Sequence, residues 1–162
     1  MIASDGTITA AWAVLAAGAW SSLISIAGCA LVPAFPVRGH LSGFRMAPAS
    51  LAPILRHEHT YILQRADGFT IAGSSSEQRG FEREIDPAIV ADIHRRASAL
   101  LPGLASAHYE ESWLGFRPGI AAQGPVIAPA GETALWLAYG HYRNGILLAP
   151  ATAARVASGI IG

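Results

Sequence analysis

The sequence contains no lysine: all eleven basic residues among its 162 are arginine. Schiff-base chemistry and a phosphate-binding P-loop both require a lysine and are excluded. Charge of either sign is scarce, at 14% of residues, against roughly 25% in an ordinary soluble domain. Eleven acidic residues cancel the eleven arginines, so the chain has no bulk electrostatic hold on nucleic acid. One cysteine, Cys29, rules out an internal disulfide and cannot by itself build a zinc site; it reads as an inert core thiol. Disorder is excluded as well, since 52% of the residues are hydrophobic and disordered chains are apolar-poor and charge-rich. What remains is a compact, unusually apolar chain of about one domain's length.

The few charges are unevenly placed. None occurs in the 32 residues between Asp5 and Arg38, and only Glu132, Arg143 and Arg155 occur in the last 45. The first gap is long and apolar enough to suggest a membrane span. Gly18, Gly28, Pro33 and Pro36 interrupt it, however, and basic flanks are missing, which favours a pair of buried strands. The start also lacks the positive residues of a secretory signal. Asp5-Gly6 reads as a turn, and Ile8 to Leu15 as a strand buried on both faces.

From Pro36 onward short apolar runs alternate with turn signals. Asp67-Gly68, between His59–Arg65 and Phe69–Ala72, predicts a hairpin. Asp86 as N-cap, Pro87 at the first helical position and Pro102-Gly103 as a stop predict a helix whose apolar face carries Ile89, Val90, Ile93, Ala97, Leu100 and Leu101. Leu135 to Tyr139 reads as a buried strand and Gly140 to Gly145 as a loop. Pro150 is then expected to open an Ala-rich C-terminal helix.

Among candidate functional residues, Arg117 and Arg143 stand in apolar, glycine-bearing segments. A guanidinium is costly to bury unless an anion or a run of carbonyls meets it, and its planar fork matches a carboxylate or phosphate. Two such arginines in separate glycine-flanked loops point to an anion site. Gly140 to Gly145, between strand and helix, offers close backbone approach and a helix N-terminus, but no Gly-x-Gly-x-x-Gly fingerprint occurs. His57-Glu58-His59 has an alternate-residue spacing that a metal could use, yet no third ligand has supporting spacing, so no metal is expected. His59 and Tyr61 are expected to share a strand face and line one pocket. Ser74, Ser75 and Ser76 read as turn residues, and Glu110-Glu111 as side chains on opposite strand faces.

Three strings carry a family resemblance: Val14-Leu-Ala-Ala-Gly-Ala-Trp20-Ser, Trp113-Leu-Gly-Phe-Arg-Pro118 and Gly140-His-Tyr-Arg-Asn-Gly-Ile-Leu-Leu-Ala-Pro150. In their order and spacing they resemble the FAD-dependent D-amino-acid-oxidase-like family, nearest the glycine oxidases of thiamine biosynthesis. The resemblance spans nearly the whole chain but only about the second half of that family's protein. It implies an α+β fold: a mixed, largely antiparallel substrate-domain sheet, plus the C-terminal strands and helix of a Rossmann-like FAD-binding domain whose N-terminal βαβ unit is missing. Residues 1–35 and 118–162 would belong to the FAD-binding domain, and 36–117 to the substrate-binding domain.

By the same resemblance, Arg117 grips the substrate carboxylate and Tyr61 hydrogen-bonds it, while Arg143, His59 and Ser76 line the pocket. Gly140, His141, Arg143, Asn144, Gly145, Ile146 and Leu147 would hold the flavin. The implied activity is oxidative deamination of glycine or another small amino acid in the cytoplasm. A hydride would pass from Cα to FAD, molecular oxygen would give hydrogen peroxide, and the imine would hydrolyse to an oxo acid and ammonia. No catalytic acid or base is required if the amine arrives neutral. Two departures stand out: Ala121-Ala-Gln123-Gly-Pro125 and Ile127-Ala128 replace the family's segments after Arg-Pro. The missing βαβ unit, with its glycine-rich turn, would have to come from a partner chain or an N-terminal segment. The competing expectation is a non-catalytic remnant or interaction module, in one version membrane-associated through residues 8–35.

Overall fold

The computed structural model describes residues 2–3, 6–122 and 124–162. The fold is α+β, with two compact units: Met1–Pro36 together with Arg117–Gly162, and Val37–Phe116. In chain order the elements are β1 (Ile2–Ala3), β2 (Gly6–Thr7), β3 (Ala13–Leu15), β4 (Ala34–Arg45), β5 (Leu55–His57), β6 (Thr60–Gln64), β7 (Phe69–Gly73), α1 (Pro87–Leu100), β8 (His108–Ile120), β9 (Val126–Pro129), β10 (Leu135–Tyr139) and α2 (Gly145–Ile161). Short 3-10 turns occupy Gly18–Leu23, Pro102–Ser106 and Tyr142–Asn144. The expected Asp5-Gly6 turn rests on Asp5 and the Ala121–Pro125 departure on Gln123, both outside the described residues.

The continuous unit is organised on a five-stranded sheet in the order β5-β6-β7-β4-β8. β6 and β7 form the hairpin that Asp67-Gly68 predicts, with Gln64 opposite Thr70. The Asp67 carboxylate accepts the Phe69 amide at 3.0 Å, and that bond, with Arg45 beside it, holds its pKa below the usual range. α1 begins as expected: the Asp86 carboxylate accepts the Ala88 amide at 2.9 Å, one of the donors a helix start otherwise leaves unsatisfied. Ile93 and Ala97, one turn apart, bury this helix against Phe44, Ile62, Ala72 and Leu104.

A buried ionic cluster, not evident in the sequence, ties the segment between β7 and α1 to β4. Arg38 and His40, alternate residues of β4, are 1% and 0% exposed. The Arg38 guanidinium donates to Glu77 Oε2 through Nε (3.0 Å) and Nη2 (2.5 Å). Its Nη1 donates to the Glu82 and Glu84 carbonyls at 3.4 and 3.3 Å. The Asp86 amide donates to His40 Nε2 at 3.2 Å. A backbone amide only donates, so the ring proton sits on Nδ1 and points at Glu77 Oε1, 2.9 Å away. Burial by itself would raise the Glu77 pKa, but hydrogen bonds from Ser75, Arg38 and His40 outweigh it and hold the carboxyl below the usual range.

The other unit carries a three-stranded sheet, β3-β10-β9, with β10 parallel to β3 and antiparallel to β9. Leu15, Ala34, Leu135, Leu137 and Tyr139 form its core, with Cys29 half-buried against it. The Tyr139 hydroxyl donates to the Val32 carbonyl at 2.9 Å, and burial pushes its phenol pKa up. α2 approaches this sheet closely through Gly159: a Cβ there would lie 1.9 Å from the Trp136 indole.

Two expectations about local structure change. The strand expected over Ile8 to Leu15 begins only at Ala13 and buries only Leu15, because β3 is an edge strand with one neighbour, β10. Residues 8–35 contain no α-helix. Among the described residues, one helix, Tyr142–Ile161, is long and apolar enough to cross a membrane, by length and composition only. α2 opens at Gly145 rather than Pro150, which lies inside it and removes one ladder bond, the one to the Ile146 carbonyl.

Two stability predictions follow from these contacts. Glu77→Gln removes the anion facing a buried guanidinium and is expected to cost about 3 kcal/mol at pH 7, read from urea melts. Because the folded Glu77 pKa lies below its unfolded value, this contribution is complete above the ordinary carboxylate range and is lost as pH falls through the folded pKa. The gap between wild type and Glu77→Gln should therefore close in acid. Gly159→Ala is expected to cost about 1–3 kcal/mol through overpacking against Trp136. Gly115→Ala, with open space around it, should leave the melt unchanged.

Candidate functional site

The first cluster of candidate residues belongs to the continuous unit. β5 and β6 form a hairpin with His57 opposite Thr60, turned by Glu58 and His59, with Glu58 at φ +50°. This overturns two spacing arguments. His57 and His59 are not alternate residues of one strand, and His59 sits in the turn rather than on the strand face of Tyr61. Tyr61 alternates with the core residue Ile62, and its phenol lies over Gly73, directly opposite it in β7.

His59 and Ser76 do come together. They line an open cleft of about 620 Å³ with Thr60, Glu77, Asp92 and Arg96, a set that does not include Tyr61. The Arg96 guanidinium spans the cleft wall, donating to Thr60 Oγ1 at 2.6 Å and Asp92 Oδ2 at 2.8 Å. Arg96 and then Arg95 hold the Asp92 carboxyl below its usual pKa range. Among the described residues, no group of three or more His, Cys, Asp or Glu is placed to hold a metal ion. Glu110 pairs with Arg45 through Nε at 2.5 Å, a surface ion pair rather than half of an acid–base couple.

The second cluster belongs to the discontinuous unit. Arg117 is half-buried on β8. Arg143 is exposed, so the expectation of a buried guanidinium fails there; its charge lies over the Tyr142 ring, 5.3 Å from the centroid. Gly140 leaves β10 at φ +87°, where a Cβ would also meet the Ile120 side chain at 2.9 Å. The Asn144 amide donates to the His141 carbonyl at 3.0 Å, closing the 3-10 turn that leads into α2. Among the described residues no side-chain hydrogen bond caps α2, and Ile146 and Leu147 at its start are 94% and 79% exposed. The amides of Gly145 to Leu147 precede the first ladder bond of α2.

The His141 ring lies in a groove of about 560 Å³ whose walls include Val14, Ala138 and Val156. Its Nε2 is 2.9 Å from Thr152 Oγ1, and burial pushes its pKa down. Sequence reasoning missed Thr152 and the Arg38–Glu77–His40 cluster. The alternation Arg38-Gly-His40 was the available signal for the cluster, since it places two titratable residues on one strand face.

A family model described as FAD dependent oxidoreductase matches residues 2–158. Glycine oxidase of Pseudomonas putida is 37% identical over 151 residues, which cover 92% of this chain and 41% of that protein. The bifunctional protein ThiO/ThiG of Synechocystis sp. is 36% identical over 166 residues, 99% of this chain and 24% of that protein. The crystal structure of glycine oxidase from Bacillus cereus superposes with a TM-score of 0.91 at 30% identity, over 98% of this chain and 45% of that one. The chain thus spans about two fifths of the length of the glycine oxidases it matches. With a family match running almost from end to end and a fold that superposes throughout, the chain belongs to the FAD dependent oxidoreductase family.

Proposed function

We propose that this chain forms the substrate-binding part and the flavin-capping part of an FAD-dependent oxidase that deaminates glycine or another small amino acid. The observation that carries this reading is the turn from β10 into α2. There, Gly140 at positive φ leads through a 3-10 turn to an uncapped helix start with exposed Ile146 and Leu147. Backbone amides at such a helix start suit the electron-rich edge of a flavin. The residues fit that end of the cofactor. The chain holds no Gly-x-Gly-x-x-Gly turn, so a partner chain or additional segment must supply the hold on the ADP half.

In this reading Gly140, Arg143, Asn144, Gly145, Ile146 and Leu147 hold the flavin, with His141 in the same loop. Bound FAD would supply the hydride acceptor and, with molecular oxygen, the route to hydrogen peroxide. Arg117 grips the substrate carboxylate through paired N–H donors, and the Tyr61 hydroxyl donates to the same group. Together they orient Cα for hydride loss. Arg143 adds positive charge beside the carboxylate, and His59 and Ser76 present polar groups along the pocket wall. The chain supplies orientation and charge, and no side chain needs to move a proton if the amine arrives neutral.

The direct test is hydrogen peroxide release with glycine by the flavin-loaded enzyme, with the rest of the relatives' length supplied in cis or in trans. Absence of both flavin uptake and peroxide would favour the non-catalytic module. Arg117→Leu is expected to lower kcat/KM for glycine by about a hundredfold, the scale of one lost charge-assisted pair; an unchanged value would remove Arg117 from carboxylate binding. Arg143→Ala should lower the flavin content of the purified protein, measured from its visible absorbance, and should raise KM.

A further inference from the structure

The start of α2 has little to hold it in place. Among the described residues no side-chain hydrogen bond caps it, and Pro150 deprives its first turns of one ladder bond. Yet the amides of Gly145 to Leu147, which precede the first ladder bond of α2, have to be fixed in direction if they are to meet a cofactor. We infer that His141 is a positioning residue: its ring, bonded to Thr152, clamps the Tyr142–Asn144 turn against α2 and thereby fixes the amides that open the helix. What those amides hold rests on the flavin reading above; the clamp itself does not.

The geometry supports this in four ways. The His141 Nε2 lies 2.9 Å from Thr152 Oγ1. Thr152 stands seven residues into the helix, about 10 Å along the axis from Gly145, so the bond reaches past the weakened first turn to the regular helix beyond Pro150. The same residue holds the turn from its backbone, since the His141 carbonyl accepts the Asn144 amide at 3.0 Å. The groove is otherwise apolar: Val14 and Ala16 face it from the β3 side, Ala138 from β10, and Ala149, Ala153 and Val156 from α2. Among its described lining residues Thr152 bears the only hydroxyl and His141 is the only titratable group, so no other side chain there competes for the ring. Burial also favours the neutral imidazole, holding its pKa below the ordinary histidine value.

The test is hydrogen exchange on the full chain without flavin, read as protection of the hydrogen-bonded Asn144, Leu148 and Ala149 amides against that of the 156–161 amides. Thr152→Val is expected to reduce protection of the first group about fivefold, the worth of one side-chain hydrogen bond, with the second group unchanged. Thr152→Ser should restore the wild-type pattern. Protection of the first group in wild type should fall as pH drops below the ordinary histidine range, and His141→Gln should abolish that step. Unchanged protection in Thr152→Val would overturn the inference, and so would loosening of α2 along its whole length. FAD titration by fluorescence quenching, with the rest of the relatives' length supplied in cis or in trans, separates the two readings. Weaker binding by Thr152→Val, rescued in Thr152→Ser, supports the clamp as a device for flavin binding; equal binding despite lost protection overturns that role. No FAD binding by wild type, with the exchange pattern intact, keeps the clamp and removes the flavin reading.

Discussion

A guanidinium buried to 1% exposure must be met by an anion and by carbonyl oxygens, and in the continuous unit Arg38 recruits both from a segment roughly forty residues away. Glu77 supplies the charge and the backbone of Glu82 and Glu84 supplies further acceptors. The segment from Ser74 to Asp86 is therefore laid along β4 rather than left as an open loop. His40 extends the same constraint to Asp86, whose amide it accepts, so the residue that caps α1 is located by the ionic cluster as well as by its own carboxylate. The cleft bounded by His59, Ser76 and α1 inherits its walls from this arrangement. Buried ion pairs are often no better than well-packed apolar residues for net stability; here the pairing determines where the segment lies.

The discontinuous unit is held differently. Its core is apolar, and α2 is seated by a steric fit between Gly159 and Trp136 near its C-terminal end. Its N-terminal end has instead a polar tether, the His141–Thr152 contact. The helix is thus closely packed towards one end and carries the His141–Thr152 hydrogen bond towards the other.

Elements announced by local chemistry were legible in the sequence. Asp86-Pro87 starts α1, Asp67-Gly68 turns a hairpin, and the apolar run Leu135 to Tyr139 forms β10. Where punctuation was ambiguous the reading failed. The β5–β6 hairpin turns on Glu58-His59, which carries no glycine or asparagine, and Pro150 was taken as a start because proline favours the first turn of helices. β3 was overextended because apolarity alone does not say whether a strand has neighbours on both sides. At the site, His59 and Ser76 were paired through resemblance and line one cleft, whereas the face shared by His59 and Tyr61 was an error of register. The Arg38 cluster depends on partners 39 and more residues apart, and no periodicity reports such a pairing.

The unit boundaries at Pro36–Val37 and Phe116–Arg117 fall inside β4 and β8, not in loops. In terms of gene architecture, Val37–Phe116 is one uninterrupted stretch, whereas the other unit is encoded on either side of it. The arrangement is that of an insertion within a host. The inserted stretch carries its own helix, core and ionic cluster, so variation within it can reshape the cleft without altering the sequence of β10, the Tyr142–Asn144 turn or α2.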